Sequence, residues 1–96
     1  MSHHDDIELG RRAKEALANP ALEAAFARYK EKIVDELQKA DPREVSFVMT
    51  LKRHLSSLSV VRKNLEIMVA DGAEARQKLD YEQSLIERAQ AKLRKR

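Results

Sequence analysis

Residues 41–72 read DPREVSFVMTLKRHLSSLSVVRKNLEIMVADG, and this stretch decides the fold. Within it Val48, Leu51, Leu55, Leu58, Leu65 and Val69 keep heptad spacing, interrupted at Arg62, while Phe47, Val61 and Met68 widen the apolar stripe. Asp41-Pro42 sets a capping residue before a proline at a first helical position, where the missing N–H costs nothing. Glu44, three residues after the cap, completes a capping-box arrangement. Asp71-Gly72 supplies a glycine of the kind that stops a helix in the left-handed conformation. The stretch therefore predicts one long helix over 42–71.

Working outward, Asn19-Pro20 repeats the cap-and-proline device, so a second helix is expected over 20–39. Its apolar stripe is Leu22, Phe26, Tyr29, Ile33 and Leu37, with Ala25 and Val34 beside it. The link around Ala40 and Asp41 is too short for anything but an antiparallel hairpin with the helix that follows. Counting outward from that turn sets Ile33 opposite Val48, Phe26 opposite Leu55 and Leu22 near Leu58. Residues 5–18 form a shorter first helix behind a flexible 1–4, and 73–94 form a basic fourth helix restarting after Gly72. Gly10 falls inside the first helix, where it costs about 1 kcal/mol relative to alanine unless something packs closely against it. The expected fold is all-α: one domain over 1–96, a long hairpin flanked by two further helices, and oligomeric.

The expectation of oligomers comes from helix lengths. At 1.5 Å per residue the 20–39 helix spans about 30 Å and the 42–71 helix about 45 Å, so Arg62 to Asp71 outrun their hairpin partner. Val60 and Ile67 sit one heptad apart on a flank away from the hairpin. Three coverings are open: the first helix folding back from Pro20, the fourth helix turning at Gly72, or another copy of the chain. The expected interface is Val60, Ile67 and Met68 with Leu79, Ile86 and Leu93 of the last helix, because two-sided apolar helices are buried on two sides.

Composition narrows the class further. Ninety-six residues hold two glycines, two prolines and no cysteine, with 36% charged and 43% hydrophobic, a profile of one small helical domain. Absence of cysteine removes disulfides, thiolate metal sites and cysteine nucleophiles. No run is apolar enough to span a bilayer, and Met1 to Gly10 lacks the features of a signal peptide, so a cytoplasmic location is expected. The formal charge of +3 is uneven: net −2 over residues 1–42, +2 over 43–72 and +3 over 73–96. Arg88, Lys92, Arg94, Lys95 and Arg96 concentrate the excess at the far end. They are the candidates for weak DNA contact, against the plainer role of solvated cations complementing a helix dipole.

Catalytic constellations are missing: no glycine-rich phosphate loop, no nucleophile elbow, no HExxH and no EF-hand loop. His3 and His4 beside Asp5 and Asp6 have ligand chemistry but lie on a tail that would not hold a geometry, so no metal or cofactor is expected. His54 flanks the leucine stripe without a local carboxylate to work with. Ser56, Ser57 and Ser59 lack a base, and two roles are open for them: permitting close helix approach or bonding back to the preceding turn. Asp5-Asp6 and Asp35-Glu36, as neighbours on helices, diverge from each other. The expectation is that the chain is no enzyme. A helix-turn-helix reader is also disfavoured, because the hairpin helices are long and the second starts with one arginine.

The string Gly10-x-x-Ala13-x-x-x-Leu17-x-Asn19-Pro20, followed by Leu22, Ala25-Phe26, Arg43-Glu44 and a leucine helix reaching Asp71-Gly72, resembles a pattern in small helical proteins of tailed bacteriophages and prophages. The likeness covers residues 10–72 and departs at Val34 and Leu37, where those proteins commonly carry an aromatic residue. It implies a self-assembling helical protein of virion building or DNA packaging, similar to small terminase subunits or head-associated proteins, with packaging or head proteins as partners and a virion-associated location open. It carries over no functional residue. The other class in view is a regulatory adaptor that presents a helical groove to another protein.

Overall fold

The computed structural model describes residues 2–94, and among them the chain is all-helical with three elements: α1 (His3–Ala18), α2 (Pro20–Lys39) and α3 (Val45–Arg94). Capping explains where two of them begin. The Ser2 Oγ accepts the Asp5 N–H at 3.2 Å, and Asp5 and Asp6 occupy the first turn of α1, where the helix dipole favours acids. The expected flexible segment 1–4 is thereby corrected: residues 2–4 are a cap and a first turn, and Met1 lies outside the described residues. Asn19 accepts from Ala21 N at 2.8 Å and Leu22 N at 3.4 Å, with Pro20 in the first turn of α2. Its extended backbone is the whole break between α1 and α2.

The two other expected boundaries shift. Asp41 does not cap a helix at Pro42. Its Oδ1 accepts the Arg43 N–H at 2.9 Å and its carbonyl accepts the Glu44 N–H at 2.9 Å, so residues 41–44 form a turn. The helix opens at Val45, and the Val48 N–H donates to the Glu44 carbonyl at 3.0 Å. More consequentially, Gly72 ends nothing. No glycine has a positive φ, and the expected helices 42–71 and 73–94 are one helix of 50 residues. The physical reason is that Gly72 lies seven residues from both Leu65 and Leu79, inside the heptad stripe, and is buried there. Its missing side chain makes room for another helix.

That helix is α1. A Cβ added to Gly10 would lie 2.8 Å from the Met68 carbonyl oxygen and 2.9 Å from the Gly72 Cα; one added to Gly72 would lie 3.0 Å from both the Asp6 carbonyl oxygen and the Gly10 Cα. The chain's two glycines therefore touch. Ala13 and Ala75, each three residues on from its glycine, are buried as well. Small residues at equal spacing on both helices let the backbones approach to contact distance, which answers the helix-propensity cost of Gly10.

Contact order places α1 and α2 end to end along α3. His3 meets Glu82, Gly10 meets Gly72 and Met68, Glu23 meets Arg62, and Tyr29 meets His54, so partner numbers fall as the chain advances. Of the three coverings open for Arg62 to Asp71, α1 supplies the one observed around Met68 and Gly72. The longest dimension is 81 Å, close to the roughly 75 Å of a 50-residue helix. The radius of gyration, 22.2 Å, far exceeds the value of about 13 Å for a compact chain of this length.

Candidate interaction surface

Elongation leaves little inside. Ala13, Ile33, Leu51 and Ala75 are the buried apolar side chains, joined by Gly10 and Gly72. The surface is 7899 Å², against about 5600 Å² for a compact folded monomer of 11.0 kDa. Three regions of that surface bear on interaction.

The first is the groove between α2 and α3, about 710 Å³, lined by Phe26, Ala27, Leu55 and Leu58 with Glu23, Lys30, Ser59 and Arg62 at its edges. Arg62, the residue that interrupts the leucine stripe, closes one end. Its guanidinium donates to both carboxylate oxygens of Glu23 and sits 5.7 Å from the centre of the Phe26 ring. The pairing holds the Glu23 carboxyl below the usual range and raises Arg62. Tyr29 Oη and His54 Nδ1 are 3.4 Å apart on the exposed flank. The Tyr29–His54 and Glu23–Arg62 contacts run about two to four residues beyond the register expected from a turn at 40–41, as the 41–44 turn delays the helix to Val45, while Phe26 and Leu55 still line one groove.

The second region is the flank at Val60 and Ile67, 54% and 46% exposed. A shallow depression of about 270 Å³ joins Ile67 and Met68 to Leu9, Asp6, Asn64 and Asp71. Met68 is half-buried, with its carbonyl beneath Gly10, and Leu79 is half-buried too.

The third region is the end of α3. His3 Nε2 lies 3.3 Å from Glu82 Oε1 and marks where α1 runs out. The stripe does not stop there: Leu65, Gly72, Leu79, Ile86 and Leu93 follow one another at seven-residue steps. Ile86 is 57% and Leu93 68% exposed, and Tyr81 and Leu85 are exposed beside them. Of the six expected interface residues, then, Val60, Ile67, Ile86 and Leu93 face solvent, while Met68 and Leu79 sit partly under the chain's own fold. Arg88, Lys92 and Arg94 are exposed on this same end; Lys95 and Arg96 lie outside the described residues.

Among the described residues no group of three metal-ligating side chains comes together, and no helix is long and apolar enough to cross a membrane. Ser57 donates to the Arg53 carbonyl at 2.9 Å and so bonds back into its own helix. Comparison with known proteins adds no relative: no family model, no curated protein and no solved structure matches the chain. Sequence reasoning missed the Gly10–Gly72 crossing. The signal was present in the equal spacing of Gly10-x-x-Ala13 and Gly72-x-x-Ala75, and in the unbroken heptad step through Gly72.

Proposed function

We propose that this protein is a non-enzymatic, self-associating helical component of phage assembly or DNA packaging. Its antiparallel hairpin and long α3 act as a rod whose uncovered end recruits further copies. One observation carries the reading: the heptad stripe that α1 covers as far as Glu82 continues through Ile86 and Leu93 with nothing upon it. Two exposed branched side chains at seam positions are wasteful in a monomer and productive in an assembly. The resemblance over residues 10–72 supplies the phage context. Within it, Arg88, Lys92 and Arg94, with Lys95 and Arg96, give weak DNA contact or engage packaging or head proteins.

Light scattering during size-exclusion chromatography tests this. A defined oligomer that dissociates on dilution is expected; a particle that stays monomeric at the highest soluble concentration overturns it. DNA contact is expected to weaken steeply with salt and to vanish when Ala91 to Arg96 are deleted.

The groove between α2 and α3 favours a second reading, a regulatory adaptor that receives another protein's helix against Phe26, Leu55 and Leu58. Phe26→Ala distinguishes the two. It would abolish adaptor binding and leave self-association through the α3 end unchanged.

A further inference from the structure

We infer that the depression between α1 and α3, around Leu9 and Ile67, receives the uncovered end of α3 from a second copy. This rests on the self-association proposed above and specifies the surface on which the recruited end lands.

The end presents a helix face with no cover of its own. The stripe beneath α1 passes through Gly72, Ala75, Leu79 and Glu82 in steps of three and four, and the same steps lead on to Ile86, Ala89 and Leu93. Leu85 stands beside them, and Leu85, Ile86 and Leu93 are all exposed. The depression presents the converse shape. Leu9 and Asp6 of α1 and Asn64, Ile67, Met68 and Asp71 of α3 enclose about 270 Å³. Its middle is apolar, its rim is polar, and Leu9 and Ile67 remain exposed on its two walls.

Three observations make a second copy the occupant. The first is reach. α3 is one unbroken helix, so Leu85 is held eighteen residues, about 27 Å, from Ile67 of the same chain and cannot fold back onto it. The second is facing. Eighteen residues are about five full turns, so Leu85, Ile86 and Ala89 repeat the directions of Ile67, Met68 and Asp71. Depression and end therefore open to one side of α3, and a second α3 laid along that side brings its own end to the depression.

The third is charge. Asp6 and Asp71 on the rim make no ion pair among the described residues, and neither do Arg88 and Lys92 of the end. Arg88 and Lys92 stand three and seven residues from Leu85, on its side of the helix. Glu87, two residues from both Leu85 and Ala89, faces away. The docking face is thus apolar with cations at its margin, and the receiving surface is apolar with carboxylates at its margin.

Mixing two defective chains tests the assignment. Sedimentation equilibrium should show Ile86→Asp, which spoils the end, and Ile67→Asp, which spoils the depression, each weakening self-association about tenfold or more. An equal mixture of the two should recover a one-to-one complex, because one chain keeps a working depression and the other a working end. Leu9→Asp, on the opposite wall, should recover with Ile86→Asp and fail to recover with Ile67→Asp. Asp6→Asn/Asp71→Asn should weaken association about twofold to fivefold in low salt and by less in high salt. Circular dichroism should show parental helix content for every variant, since Leu9, Ile67 and Ile86 are exposed. Mixtures that fail to recover, or depression variants that associate as the parent does, overturn this inference and leave self-association standing. An oligomer that survives Ile86→Asp overturns it too, by placing self-association on another surface. A parent that stays monomeric at the highest soluble concentration overturns both.

Discussion

The two covered stretches of α3 receive their neighbours by opposite means. Against α1, packing is backbone on backbone: Gly10 on Gly72, with Ala13 and Ala75 buried at the next turn. Against α2 it is side chain on side chain, with Phe26, Leu55 and Leu58 holding the helices apart around an open groove that Arg62 spans to reach Glu23. Close contact leaves no tolerance for added atoms, because dense packing has few voids to absorb them. An open groove tolerates change and can receive a ligand. The α1 end is therefore a fixed clamp and the α2 end an adjustable one.

The largest test of that contrast is Gly10→Leu or Gly72→Leu. Either places atoms where backbone already sits, so α1 must lift off α3; a loss of about 3 kcal/mol or more is expected by chemical denaturation. Gly10→Ala should cost about 1–2 kcal/mol, because overpacking outweighs the gain of about 1 kcal/mol in helix propensity. If Gly10→Ala stabilised the protein instead, the clamp would be looser than the backbone distances indicate.

Phe26→Ala comes next. The ring is half-buried over the groove, so its removal should cost about 1–2 kcal/mol, below the range for a fully buried phenylalanine, and should leave amide exchange in α1 unaltered. Coupled loss of protection in α1 would show that the two ends are one unit. Asn19→Ala probes the joint between them. It removes the acceptor for Ala21 and Leu22 and should cost about 1 kcal/mol, read as fraying at the start of α2.

The smallest effect is electrostatic. The side-chain hydrogen bond from Arg11, with Arg12 adding to it, lowers the Glu8 carboxyl to about 2; Arg62 lowers Glu23, and the Arg43 N–H lowers Asp41. A carboxyl whose folded value lies below its unfolded value stabilises the fold fully above about pH 4.5 and loses that contribution as pH falls toward 2. All three groups face solvent, so the contribution is small and shrinks with salt. Glu8→Gln should flatten part of the acid limb of the stability profile at low ionic strength and change nothing at pH 7 in high salt.

How far each feature was legible follows from how local its cause is. Asn19-Pro20 starts a helix because the cap and the proline act within three residues, and α2 begins where they place it. Asp41-Pro42 shows the same letters used otherwise: the Asp41 side chain turns back to Arg43, and the helix waits until Val45. Arg62 looked like a break in a leucine stripe, and only the placement of Glu23 and Phe26 across the groove explains it. Exposed Ile86 and Leu93 were legible as seam residues from spacing, although their lack of a covering helix depends on where α1 ends.

What the amino-acid order determined by itself is the helical class, the heptad stripe of α3 and the break at Asn19, since periodicity and capping are properties of neighbours along one chain. What only the tertiary structure decided is the meaning of Gly72. Glycine next to aspartate serves equally to stop a helix or to admit another backbone, and the choice depends on whether a second helix arrives. Here Gly10 arrives from more than sixty residues earlier in the sequence and lies against Gly72 within an unbroken α3.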